Sequence, residues 1–141
     1  MSKFSAFMAQ NKVKHENVKY RLSADFLDEE GKPAEWEIRR LGAEENDQLQ
    51  KQCIVKVPVP GNPNQYTKEL NDTLYTVKAI CAAVVFPDLN DKDLQDSYHV
   101  MGAENLIRKM LSAGDYLRLS NKVSEINGFK NLNEAVDEAK N

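Results

Sequence analysis

Residues 94–129 read LQDSYHVMGAENLIRKMLSAGDYLRLSNKVSEINGF, and this stretch decides the fold class. Three glycines, Gly102, Gly114 and Gly128, punctuate it into short helices. Leu106, Ile107, Met110 and Leu111 share one helical face, and Tyr116, Leu119, Val123 and Ile126 repeat at the spacing of another. Gly128 falls where a left-handed residue closes a helix. The stretch holds no set of side chains able to carry out a reaction, so it reads as packing and surface.

Upstream, residues 71–85 predict the central core helix. Leu70, Leu74, Val77, Cys81 and Val84 recur every three or four positions, and Ile80 and Ala83 widen the stripe. Pro87 closes this helix, and Asn90 or Asp91 is placed to cap the next, where Leu94 and Tyr98 pair one turn apart. A further helix is expected from Ala43 to about Val57, with Glu44 and Glu45 in its first turn and Leu49 and Cys53 on one face. Pro58, Pro60 and Pro63 must end it, since such a density of proline forbids helix and central strand alike.

At the other end, Phe4, Phe7 and Met8 stand at i, i+3 and i+4 and predict a short amphipathic helix over residues 2–10. Val18, Tyr20 and Leu22 alternate with polar residues, as do Trp36 and Ile38, around the turn Asp28-Glu29-Glu30-Gly31-Lys32-Pro33. These segments predict a β-hairpin with Trp36 anchoring its buried face. The expected fold is α+β and mainly α-helical, with an N-terminal β-hairpin (about residues 16–40) packed on a C-terminal helical bundle. One domain, 1–141, is expected, with an N-terminal α/β lobe (1–57), a Pro-rich connection (58–66), a helical lobe (67–129) and a fraying tail (130–141).

Composition excludes several function classes. The chain has 141 residues, 41% hydrophobic and 29% charged, enough to bury a core without metal or disulfide. Its net charge of −3 gives no global attraction to nucleic acid or an anionic membrane. Residues 1–21 carry a surplus of +4, but without interleaved aromatics this reads as a solvated basic face. The longest apolar run, Ala79–Phe86, is eight residues, against about 20 for a membrane span. Cys53 and Cys81 lie singly on apolar faces, the pattern of buried, reduced thiols in a cytosolic protein.

Motifs for chemistry are missing. His15 and His99 fit no zinc spacing, and an EF-hand counted from Asp88 puts Lys92 at a ligand position and Asp93 where glycine is required. No phosphate-cradling loop, dinucleotide fingerprint or nucleophile elbow occurs. Residues 103–126 could imitate a helix-turn-helix, yet Arg118 and Lys122 are balanced by Asp115 and Glu125, which is no recognition helix. No catalytic residue, cofactor or metal ligand is therefore assigned.

Several strings in order carry a resemblance: SKFSAFMAQN (2–11), ENVKYRLSADFLDEEGKPAEWEIRRL (16–41), VPVPGNPNQYT (57–67), DSYHVMGAENLIRKMLSAGDY (96–116) and EINGF (125–129). In these the chain resembles the XkdN-like family of phage tail assembly chaperones, known from tailed phages and defective prophages of Bacillus and related bacteria. The resemblance implies a non-catalytic protein of the host bacterial cytoplasm, absent from the mature particle. It also implies two partners, the tape measure protein and the tail tube protein, with self-association as a further option. The residues nominated for partner binding are Phe4, Phe7 and Met8, set against the alternative that they cap the protein's own core. The competing functions are a structural component of the tail and a small prophage DNA-binding regulator.

Overall fold

The computed structural model describes residues 3–129. The first two strands, β1 (Val18–Arg21) and β2 (Glu35–Ile38), pair antiparallel with Tyr20 opposite Trp36. The turn between them is built by Asp28. One of its carboxylate oxygens accepts hydrogen bonds from the backbone N–H groups of Glu30 and Lys32, and Gly31 supplies the positive φ of 80°. Alternation then puts Trp36 and Ile38 inward, with Phe26 edge-on to the indole at 6.3 Å. The expected hairpin is present, with its anchor.

Helix α2 (Asp72–Ala83) is the centre of the molecule. Asn71 caps it by accepting from the Leu74 N–H, and Val77, Ala79, Ile80 and Ala83 are buried. It contacts α1 (Ala43–Gln52), α4 (Ala103–Met110) and α5 (Ala113–Ile126). Leu106, Ile107, Leu119 and Val123 from the last two helices complete one core with Trp36 and Ile38. Asp91 caps α3 (Lys92–Ser97), and Ser112 caps α5. Helix α5 ends in a Schellman motif: the Phe129 N–H donates to Ser124 O, the Gly128 N–H donates to Glu125 O, and Gly128 has φ +76°. The α+β architecture follows the sequence expectation.

Three boundaries differ. The helix expected to run to Val85 stops at Ala83, and β5 (Val84–Phe86) joins the sheet beside β2, giving the order β1-β2-β5. Consecutive β-branched Val84 and Val85, and a residue held extended before Pro87, favour strand there. The helix expected over Ala43 to about Val57 ends at Gln52. Residues beyond it form β3 (Ile54–Val59), paired antiparallel with β4 (Asn62–Leu70). Thus the Pro-rich segment 58–66, expected as a connection, forms most of a second hairpin. Its two strands make a sheet of their own, so each has a free edge where a proline costs no ladder bond. Last, the N-terminal segment forms two successive 3₁₀ turns, Ser5–Phe7 and Ala9–Asn11, instead of an α-helix. The tail 130–141, expected to fray, lies outside the described residues.

Candidate partner-binding surface

The N-terminal segment is too short to pay the nucleation cost of an isolated α-helix, and its polar side chains bond locally instead. The Asn11 side-chain amide donates to Ser5 O at 2.7 Å and approaches Ser5 Oγ at 3.3 Å, stitching the two turns together. This tight geometry turns apolar side chains outward. Phe4 is 69% exposed, Phe7 83% and Met8 48%, and Val13 just beyond is exposed as well. None of the three nominated residues belongs to the core cluster. They share one short segment, which is exposed apolar surface of the kind that marks interaction sites.

Beside this segment lies a cleft of about 640 Å³, lined by Lys12, His15 and Arg40 with Leu41, Glu125 and Asn127. Asn127 holds the cleft's two sides together. Its side-chain oxygen accepts from the Leu41 N–H at 2.7 Å, while its amide donates to Val123 O at 2.8 Å. The arrangement offers basic groups and no nucleophile.

The charged and reactive groups elsewhere are structural. Arg39 makes a two-pronged ion pair with Glu45, at 2.9 and 2.5 Å, which binds the end of β2 to α1 and holds the Glu45 carboxyl below its usual range. Lys78 Nζ lies 3.0 Å from Glu104, joining α2 to α4. Asp115 is buried in the first turn of α5. The Ser23 hydroxyl, Arg118 and Ser112 lower its pKa against the opposing effect of burial. Cys53 is fully buried and its thiol is pushed up by desolvation. Cys81, only half-buried, is pushed up to about 11 by the same cause. Neither is in a disulfide. His99 takes φ +58° and its N–H donates to Asp96 O, so it acts as a helix-ending residue at the close of α3. Among the described residues no group of three His, Cys, Asp or Glu could hold a metal ion, and no helix is long and apolar enough to cross a membrane.

The second hairpin is the surface feature that sequence reasoning missed. Val55, Val57 and Val59 form its half-buried face, while β4 is exposed along its whole length. The alternation of those three valines with Lys56, Pro58 and Pro60 was the available signal.

Comparison with known proteins agrees with this architecture. Two relatives from Bacillus subtilis (strain 168) are each 28% identical to the chain. One is described as "Phage-like element PBSX protein XkdN" and aligns over 139 residues, 97% of this chain and 93% of its own length. The other, described as "Uncharacterized protein YqbN", aligns over 136 residues, 96% and 90% respectively. A crystal structure of the protein YqbN superposes with a TM-score of 0.75 at 24% identity, covering 92% of this chain and 99% of that one, and so shares the fold. The family model for the phage XkdN-like tail assembly chaperone protein matches residues 4–140. On that match the chain belongs to the XkdN-like family of phage tail assembly chaperones.

Proposed function

We propose that this protein binds the phage tape measure protein non-covalently in the bacterial cytoplasm, keeps it soluble, and assists assembly of the tail tube. The observation that carries the reading is the exposure of Phe4, Phe7 and Met8 on one short N-terminal segment. Before a tube encloses it, a long helical partner presents apolar stripes that would aggregate. Apolar side chains seated on such a stripe exclude water from it reversibly. Aromatic rings suit the task because each brings a large contact area at little entropic cost. No bond needs to be made or broken, so the chain acts without catalysis and without a cofactor.

Replacing both Phe4 and Phe7 with Ser tests the surface. The variant should fold and fail to hold the tape measure protein in solution. A folded variant that still solubilises it would refute the assignment.

A further inference from the structure

The cleft beside the N-terminal segment gathers positive charge that the fold leaves unpaired. Lys12, His15 and Arg40 line it and are exposed, and among the described residues none of the three is in an ion pair. Glu125, the carboxylate in the lining, is already engaged by Lys122 at 3.7 Å. Leu41 and Ile126, both half-buried, add apolar surface to the same cleft. At about 640 Å³ it has the size of a ligand site and far exceeds what a single small ion needs. Cations brought together in this way repel, and a carboxylate entering from outside converts the repulsion into attraction.

The cleft is continuous with the apolar segment. Lys12 ends the second 3₁₀ turn, which Met8 begins, so one stretch of chain supplies both the exposed Phe7 and Met8 and a wall of the cleft. A partner that fits must therefore bring apolar and acidic side chains together. A phosphodiester strand fits poorly, because it needs a longer basic track, and Glu125 lies in the wall it would have to follow. An amphipathic helix with carboxylates beside its apolar stripe fits both halves. Acids three or four positions apart on such a helix lie on one face, within reach of one cleft.

We infer that this cleft is the charged half of the partner-binding surface, taking the carboxylates of an acidic amphipathic helix whose apolar stripe seats on Phe7 and Met8. This rests on the N-terminal segment being the surface that meets the partner. The apolar half contributes contact area, and the cleft contributes selectivity and register. An amphipathic helix flanked by Lys or Arg meets like charge there and is rejected, although its apolar stripe is the same.

Labelled peptides of about 25 residues, enough for about seven helical turns, tiling the tape measure protein of the same gene cluster test this with the full chain by fluorescence anisotropy. The peptides bound should carry Asp or Glu beside an apolar stripe. Changing those acids to Asn or Gln should weaken binding about tenfold and remove its salt dependence. The pair Lys12→Gln and Arg40→Gln should weaken binding of the acidic peptide about tenfold and leave its neutral counterpart unchanged. Gly42 lines the cleft as the N-cap of α1, and a Cβ there meets nothing within 4 Å. Both Gly42→Asp and Gly42→Asn therefore cap the helix and keep the fold, while Asp should weaken binding about tenfold more than Asn because it adds a negative charge. Binding that Phe7→Ser abolishes but the Lys12/Arg40 pair leaves intact overturns the cleft's role and spares the N-terminal surface. Binding that Phe7→Ser leaves intact overturns that surface, and this inference with it. A wild-type chain that binds no peptide, or that prefers neutral or basic ones, also overturns the inference. So does a single-stranded oligonucleotide that displaces the bound peptide, since the cleft would then be a phosphate site.

Discussion

Ile80→Ala and Phe7→Ser should separate the residues that hold this protein together from those that serve a partner. Ile80 is 1% exposed in α2, within the core that β2, α4 and α5 close around. Truncation to Ala removes three carbons, worth about 2.4 kcal/mol in transfer free energy, and leaves a cavity that raises the cost to about 4 kcal/mol. That is a large fraction of the roughly 5–15 kcal/mol by which a domain of this size is stable. Phe7, by contrast, is 83% exposed. Only a sixth of its ring area, about 35 Å², is shielded, so Phe7→Ser should cost under about 1 kcal/mol. With a urea dependence of about 2 kcal/mol per molar, the Ile80 variant should unfold about 2 M earlier and the Phe7 variant within about 0.5 M of wild type. Urea titration followed by circular dichroism and tryptophan fluorescence reads both, the latter through Trp36. A Phe7 variant as damaged as the Ile80 variant would refute the reasoning, because the N-terminal ring would then be core.

Other consequences can be checked separately. The carboxyl of Asp115 is held below its ordinary value when folded, so its contribution is present above about pH 4 and lost as pH falls through the folded value. Asp115→Asn should destabilise the protein near neutrality and flatten the loss of thermal stability between about pH 5 and pH 2, as melting curves would show. Thiol labelling near pH 8 should be at least about a hundredfold slower at Cys81 in the folded chain than in urea, since a thiol at about 11 is almost wholly protonated there. Gly128→Ala places a side chain at φ +76° and should cost about 1 kcal/mol by thermal melting. In mass spectrometry of purified particles the chain should be absent or far below one copy per tail subunit. A fixed stoichiometry would make it a tail component.

The helical pattern was legible because buried stripes at three-to-four spacing leave little freedom. Asp91, offered together with Asn90, caps α3 as its side chain suggested, while the caps at Asn71 and Ser112 were not singled out. The Trp36 hairpin was equally plain from alternation. What escaped was β3–β4, where three prolines argued against strand. Proline is excluded from the interior of a sheet, but a two-stranded ribbon consists entirely of edges. Pro60 and Gly61 stand at the two central turn positions, with Gly61 at φ +81°, as a type II turn prefers. The apolar periodicity through Val84 also concealed β5, because an apolar strand of three residues cannot be told from a helix end by pattern. At the candidate surface Phe4, Phe7 and Met8, nominated from spacing, lie exposed, while the helix expected to carry them is a pair of 3₁₀ turns. An i, i+3, i+4 pattern over so short a segment fits a pair of 3₁₀ turns as readily as an α-helix.

The most direct test is to co-express the tape measure protein of the same gene cluster with and without this chain and to measure its soluble fraction. The tape measure protein should be soluble and co-purify with the intact chain, and aggregate without it. A tape measure protein equally soluble alone, or insoluble in the presence of the folded chain, would contradict the account.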